Sequence, residues 1–253
     1  MNPVIRREFV GILRSPTALA MLLALTVVFS LAVLMRWPAD SSVDLSGTQS
    51  MQVFRVFGYG LLAGVVFLVP AFPATSLVNE KNSGTLALLL NSPLNAFSIY
   101  SGKISGVLLF SFLVLVCSLP ASAACFAMGG ISGTQFGLLY LVLSLLILQY
   151  ATLGMLISSY VQTSDAGVRI TYTTVLAMLF LTLLPAAFLR AIGFGSGTAV
   201  STVANWIRNI SPLPAVMEIL GQSDVASYGL KTLPSVGSFI GLALLTSAAF
   251  AAW

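Results

Sequence analysis

The sequence has no histidine and very few charged residues. Asp, Glu, Lys and Arg together make up only 7% of the 253 residues. Without histidine, the chain has no Ser-His or Cys-His nucleophile, no HExxH zinc motif and no histidine redox ligand. A soluble domain carries about 25% charged residues. A chain this poor in charge cannot cover itself with a polar surface, so lipid is expected to be its solvent.

Cysteine and basic charge are also scarce. Cys117 and Cys125 both lie in an apolar run, which is typical of buried thiols in membrane helices rather than of a disulfide framework. The 11 basic residues exceed the 7 acidic ones without forming a block, so nucleic-acid binding has no support. The acidic residues are scattered among loops. We therefore expect no catalytic, cofactor-binding or metal-binding residue in this chain.

Long runs without charge dominate what is present, and 58% of the residues are hydrophobic. A helix needs about 20 apolar residues to cross a bilayer, and in lipid its backbone must satisfy its own polar groups. The runs predict an all-α integral membrane protein with a single transmembrane domain over residues 1–253. Six spanning helices are expected near 16–36, 54–79, 103–128, 135–160, 168–191 and 234–253.

Basic residues beside the spans predict the orientation, because Lys and Arg favour cytoplasmic flanks. With the N-terminus inside, the inner set is Arg6, Arg7, Arg14, Lys81, Lys103 and Arg169. The outer set is Arg36, Arg55, Arg190, Arg208 and Lys231. The last two weigh less because they lie in the longest connection. This balance favours a cytoplasmic N-terminus.

The segment before the first span alternates apolar and basic residues at helical spacing. This pattern predicts a helix along the membrane surface, with Arg6, Arg7 and Arg14 facing lipid headgroups. An ordinary positively charged flank is the alternative. Within the second span, Gly60 and Gly64 have the spacing of a helix-packing motif, and chance spacing is the alternative there.

The loop from Asn79 to Lys103 contains turn residues followed by leucines. Asn82-Ser83-Gly84 is typical of a turn, and Thr85 can open a short helix through Leu90. Ser92 and Pro93 mark a second helix start. Exposed leucines in such a loop indicate a docking surface, or else a loop that folds back on its own bundle. The residues alone do not decide between the two.

The connection from Gly193 to Leu233 is too apolar for a solvated loop. Its apolar stretches are separated by Ser211-Pro212-Leu213-Pro214. We expect re-entrant-like short helices between spans five and six, with a small extracellular cap as the alternative.

The loop also carries a family resemblance. The pattern Glu80-x-x-x-Gly84-Thr85-Leu86-x-x-Leu89-Leu90-x-x-Pro93, closed by Gly102-Lys103, resembles the signature of ABC-2 type permeases. Within that family, the chain resembles the group of permeases for multicopper-enzyme maturation, gliding motility and sodium extrusion. The motif is specific only between Glu80 and Lys103, whereas the architecture agrees along the whole chain.

This resemblance implies a cytoplasmic coupling helix between spans two and three that docks on a separate ATP-binding subunit. The residues carried over to that contact are Glu80, Gly84, Thr85, Leu86, Leu89, Leu90 and Pro93. It also implies a second permease copy or paralogue, ATP and Mg on the partner subunit, export, and a bacterial inner membrane. The residues themselves exclude a nucleotide engine in this chain, because position 97 is Phe where a Walker A motif needs Gly, and Ile104 follows Lys103.

Two other classes of membrane protein are alternatives. A stand-alone channel or secondary transporter is also apolar and helical, but secondary transporters place an ionisable residue in the middle of the membrane. Every charge here lies at or outside the ends of the apolar runs. An intramembrane enzyme lacks the histidine or clustered acids that its chemistry needs.

Overall fold

The computed structural model describes residues 10, 14, 16–35, 48–84, 96–128, 131–193, 198–222 and 235–253. These residues form helices and turns, with no strand among them. In chain order the helices are α1 (Pro16–Leu34), α2 (Thr48–Leu68), α3 (Ala71–Asn82), α4 (Ala96–Ala127), α5 (Gly133–Tyr160), α6 (Ser164–Phe180), α7 (Leu184–Ala191), α8 (Ala199–Arg208), α9 (Pro212–Ile219) and α10 (Ser235–Ala252). A 3₁₀ turn, Leu181–Leu183, joins α6 to α7.

Five stretches of these helices are long and apolar enough to cross a membrane. They are Ser50–Asn82, Ser98–Ala127, Gly133–Tyr160, Ser164–Leu189 and Ser235–Ala252. The first joins α2 to α3, and the fourth joins α6 to α7. Helix α1 contributes a shorter apolar stretch, Leu19–Leu31. The predicted all-helical, multi-pass membrane fold is therefore confirmed.

Helix α5 forms the centre of the bundle. It begins with a capping box, in which the Ser132 hydroxyl accepts from the Gln135 amide at 3.2 Å and the Gln135 side chain accepts from the Ser132 amide at 3.1 Å. Of an apolar 18-residue stretch of α5, 67% is buried, against 17% for the corresponding stretch of α6–α7. The core therefore surrounds α5, and α6–α7 lies at the edge.

A break at Pro70 separates α2 from α3, because proline lacks the amide that would continue the helix. Helix α3 then runs through Asn82, beyond the predicted end at 79, and α4 begins at Ala96 rather than 103. Glu80 therefore lies on a helix and not in a loop, which corrects the prediction. The connection between α3 and α4, here called the connecting loop, spans residues 83–95.

The ends of the helices define two ends of the bundle. The loop end holds the last turn of α3 and the first turn of α4. Helices α5 and α10 also end there: the Trp253 indole Nε1 donates to the Tyr160 hydroxyl at 2.5 Å, so the two helices finish side by side. We call the end opposite the loop end the far end. Helix α1 packs along α4, with Leu22 early in α1 against Phe110 and Val114.

The two short helices predicted between the last spans are present as α8 and α9. Thr198 caps α8, and Ser211 caps α9. Helix α9 begins at Pro212, because proline at the first helical position loses no hydrogen bond. Its inner face, including Ala215 and Val216, is buried. In the N-terminal segment, Val10 and Arg14 are helical and exposed, while Arg6 and Arg7 lie outside the described residues.

Candidate functional site

A buried ion pair closes the base of the connecting loop. Lys103 Nζ lies 2.9 Å from Glu80 Oε1, and the two side chains are 4% and 11% exposed. Lys103 also donates to the Ser76 hydroxyl at 3.4 Å. Glu80 is in the last turn of α3 and Lys103 in the third turn of α4. The pair therefore joins the helices on either side of the connecting loop.

Lys81, the next residue, contacts the end of α5. Its ammonium donates to the carbonyl oxygens of Ser158, Ser159 and Val161 at 3.3, 2.5 and 3.2 Å. The last carbonyls of a helix have no partner within the helix and carry the negative end of its dipole. A lysine placed there gives these carbonyls a donor, and the helix dipole favours its positive charge.

A serine and two glycines bring the backbone of α3 close to α5 and α6. The Ser158 hydroxyl accepts from the Leu77 and Val78 amides at 3.1 and 3.3 Å. A Cβ at Gly154 would lie 2.6 Å from Pro73 Cγ, and a Cβ at Gly167 would lie 2.7 Å from the Ala74 carbonyl oxygen. Only glycine allows these approaches, so α3 is held between the two helices.

Two further polar contacts finish this end of α3. The Ser164 hydroxyl donates to Asn79 Oδ1 at 2.8 Å and thereby links α6 to α3. Gly84 has φ +70°, and its amide donates to the Lys81 carbonyl at 3.2 Å. Glycine takes this left-handed conformation without strain and commonly ends helices. Gly84 therefore sets the direction in which the connecting loop leaves α3.

Most residues predicted to contact an ATP-binding subunit lie outside the described residues. These are Thr85, Leu86, Leu89, Leu90 and Pro93. Glu80 and Gly84 are described, and both shape the base of the connecting loop: Glu80 is buried and Gly84 forms the exposed turn. Sequence reasoning missed Lys81 as part of the site, although its position beside Glu80 was a signal. It gave Lys103 only a place at the end of the motif.

The predicted glycine pair is only partly a packing site within the chain. Among the described residues, a Cβ at Gly60 would meet no atom within 4 Å, so Gly60 makes no close helix contact in this part of the chain. A Cβ at Gly64 would lie 3.3 Å from the Phe29 ring of α1. Gly58, which sequence reasoning passed over, is tighter: its Cβ would lie 2.7 Å from the Leu220 side chain.

A second polar cluster lies at the far end. Arg55 donates from Nε and Nη2 to the carbonyl oxygens of Leu220 and Gly221, both at 2.9 Å. The Tyr59 hydroxyl donates to the Gln222 side chain at 2.8 Å. The Glu218 carboxylate accepts from the Ser235 amide at 2.7 Å. These contacts fasten α9 to α2 and to the start of α10.

An apolar groove lies between α7 and α8. Its volume is about 520 Å³, and its lining includes Phe188, Val200, Val203 and Ile207. The lining residues that the structure describes are all apolar, in contrast to ordinary small-molecule sites. Within the part of the chain that the structure describes, no three metal-ligating side chains lie together.

The helices and the polar contacts at the loop end define a multi-pass membrane protein whose third helix, α3, is fastened to three neighbours. Residues 32–252 match the family described as ABC-2 family transporter protein. The match covers most of the chain, so the chain belongs to this family and is an ABC-2 type permease. The predicted family is confirmed. A search of curated proteins found no match.

Membership sets the general role of the chain. An ABC-2 permease is the membrane component of a transporter and is not itself the ATPase. Permeases of this family generally work with an ATP-binding subunit, often as a dimer.

Proposed function

We propose that this chain is the membrane subunit of an ATP-driven transporter and that a separate ATP-binding subunit docks on the connecting loop. The Glu80–Lys103 ion pair carries the proposal, because it fixes the two ends of that loop against each other. A buried ion pair adds little net stability, since desolvation offsets much of its attraction. Its best-supported use is to specify geometry, which a docking element needs.

The docking contact is assigned to Glu80, Gly84, Thr85, Leu86, Leu89, Leu90 and Pro93. The contacts of the described residues suggest a division within this set. Glu80 and Gly84 hold the loop in position, through the ion pair and the left-handed turn. The leucines then supply the apolar surface, because apolar anchors dominate binding energy at protein interfaces.

In this proposal ATP and Mg bind to the partner subunit and not to this chain. Two permeases, either two copies or this chain with a paralogue, work with two ATP-binding subunits. ATP binding closes the ATPase pair, moves the connecting loops and reshapes the path between the permeases. The result is movement of cargo across the membrane or transmission of force through it. Export is proposed from the resemblance to sodium-extrusion permeases.

Six spans and a cytoplasmic N-terminus complete the proposal. Helix α1 has 19 residues. At a rise of about 1.5 Å per residue, its length nearly matches the hydrocarbon thickness of about 30 Å. The loop end then faces the cytoplasm of a bacterial inner membrane. Helical, exposed Arg14 supports a surface helix that also contains Arg6 and Arg7.

A stand-alone channel or secondary transporter is the other candidate. A secondary transporter would need an ionisable group in mid-membrane for ion coupling, whereas a channel gated by polar or hydrophobic rings would not. Among the described residues, Glu80, Lys81 and Lys103 lie at the loop end, and Arg55 caps α9. No contact of these residues favours the second candidate.

Co-purification tests the proposal. The tagged chain is extracted from its native membrane in mild detergent, and the proteins that accompany it are identified by mass spectrometry. We expect a P-loop ATPase to accompany the wild type and to be lost with Leu89→Asp. The control, Asn91→Asp, adds the same charge to the same loop without removing a leucine and should retain the ATPase. Absence of an ATPase from the wild type, with other membrane complexes intact, would favour the stand-alone channel.

A further inference from the structure

Helix α3 is a separate segment at the point where the connecting loop begins. It has 12 residues and lies between the break at Pro70 and the turn at Gly84. Any force applied to the connecting loop on its α3 side therefore enters the bundle through this helix. Which of the other helices respond depends on how α3 is attached to each of them.

The attachments of α3 are unequal. It is linked to α4 through the Glu80 carboxylate and the Ser76 hydroxyl, which both meet Lys103. Its ties to α5 are more numerous: Lys81 donates to three carbonyls, and the Ser158 hydroxyl accepts from two α3 amides.

Close packing further strengthens the attachment of α3 to α5, and it also attaches α3 to α6. Gly154 of α5 and Gly167 of α6 admit the α3 backbone at distances where a Cβ would clash. Packed helices of this kind shift as units rather than deforming continuously. Helix α3 is therefore attached more firmly to the α5–α6 hairpin than to α4, to which it is joined through Lys103.

We propose that Lys81 is the positioning residue that transmits movement of the connecting loop to α5. It lies three residues before Gly84, and its ammonium holds the open carbonyl end of α5. A displaced connecting loop carries the α3 end and the α5 end together, and α5 is the centre of the bundle. Lys81 itself does not touch the ATP-binding subunit. The inference rests on the proposed function, because it assumes that the connecting loop is driven.

The test compares two properties of each variant: its capture of the ATP-binding subunit, and its stimulation of ATP hydrolysis by that subunit. The chain is purified with the ATP-binding subunit that it captures, and ATP hydrolysis by this complex is compared with hydrolysis by that subunit alone. Lys81→Met removes the ammonium but keeps the apolar stem. It should capture the ATPase as the wild type does but lose about fivefold or more of the stimulated rate, the range of ordinary site-to-site coupling.

Two further variants separate positioning from folding. Lys81→Arg keeps a charged donor for the α5 carbonyls and should retain stimulation. Ser158→Ala removes the α5 hydroxyl that binds the Leu77 and Val78 amides without changing any charge, and it should lower stimulation in the same direction as Lys81→Met. Lys231→Met, in another connection, removes one lysine and should leave capture and stimulation unchanged.

The remaining outcomes can be told apart. Normal stimulation by Lys81→Met overturns it. Loss of capture by Lys81→Met would place Lys81 in the docking surface and also overturn it. If Lys81→Met fails to fold, Ser158→Ala gives the answer, and normal stimulation by that variant overturns the inference. If the wild type captures no ATPase, the proposed function itself has failed, which is a distinct result.

Discussion

Arg55 and Leu220 are 165 residues apart in sequence and are joined by a hydrogen bond of 2.9 Å from Arg55 Nε to the Leu220 carbonyl oxygen. A second bond, from Nη2 to the Gly221 carbonyl, has the same length. Together they cap the C-terminus of α9 with a positive charge, which the helix dipole favours. The arginine that marked a span boundary in the sequence thus holds a short helix in place.

Removing this cap should loosen α9. A hydrogen bond from a charged group contributes about 1.5–3 kcal/mol, so Arg55→Met is expected to destabilise the docking of α9 by about 2 kcal/mol or more. Hydrogen exchange of residues 212–222, followed by mass spectrometry, measures the effect. Faster exchange confined to this segment is expected. Unchanged exchange there would show that the two bonds do not hold the helix.

Breaking the Glu80–Lys103 pair should be costly. Glu80→Gln leaves Lys103 buried without its counter-charge, and breaking such a pair costs about 3 kcal/mol. The apparent melting temperature of the purified chain in detergent should fall. The exchanged double variant, Glu80→Lys with Lys103→Glu, should recover most of the loss because it restores opposite charges. Equal melting temperatures for Glu80→Gln and the wild type would contradict this account.

The close approach of α3 to α6 makes Gly167 sensitive to a single methyl group. In Gly167→Ala the new Cβ would lie 2.7 Å from the Ala74 carbonyl oxygen, and overpacking of this kind costs about 1–3 kcal/mol. Gly137→Ala is the matched control, because its Cβ would meet no atom of the described residues within 4 Å. Alanine raises helix propensity by up to about 1 kcal/mol there. The two variants should shift the melting temperature in opposite directions, and a parallel shift would argue against the helix contact.

The two ends of α5 should lie on opposite sides of the membrane. After replacement of Cys117 and Cys125, single cysteines are introduced at exposed Thr134 and exposed Gln162. A membrane-impermeant maleimide added to intact cells should label Thr134→Cys at once and Gln162→Cys only after permeabilisation. The reverse pattern would invert the proposed orientation.

Span boundaries show both the power and the failure of sequence reasoning. Gaps between charges located the long helices because uncharged runs of that length have one stable form in lipid. The same reasoning, however, predicts that the second span ends at residue 79, just before its first acidic residue, Glu80. Helix α3 continues through Glu80 and Lys81 because Lys103 and the α5 carbonyls neutralise their charges. Arg55 likewise lies inside α2 because α9 supplies acceptors.

Close helix contacts could not be predicted for a related reason. The spacing of Gly60 and Gly64 suggested packing, yet the tightest approaches fall at Gly58, Gly154 and Gly167. A glycine is required where a particular partner backbone or side chain comes close, and that partner is set by the three-dimensional arrangement. The short helices α8 and α9 are predicted from their apolar stretches, but not their limits: Ser211-Pro212-Leu213-Pro214 reads as a break, whereas Ser211 caps α9 and Pro212 opens it.

The central claim is that the connecting loop touches an ATP-binding subunit, and cysteine cross-linking in native membranes tests it most directly. Leu89→Cys is placed in a background without Cys117 and Cys125, and Thr134→Cys serves as the far-end control. With a bifunctional thiol-to-amine cross-linker added to the membranes, we predict a covalent adduct between Leu89→Cys and a P-loop ATPase, identified by mass spectrometry, and none from Thr134→Cys. If neither Leu89→Cys nor Leu86→Cys in the same loop gives an ATPase adduct while the chain is correctly inserted, the proposed coupling site is wrong.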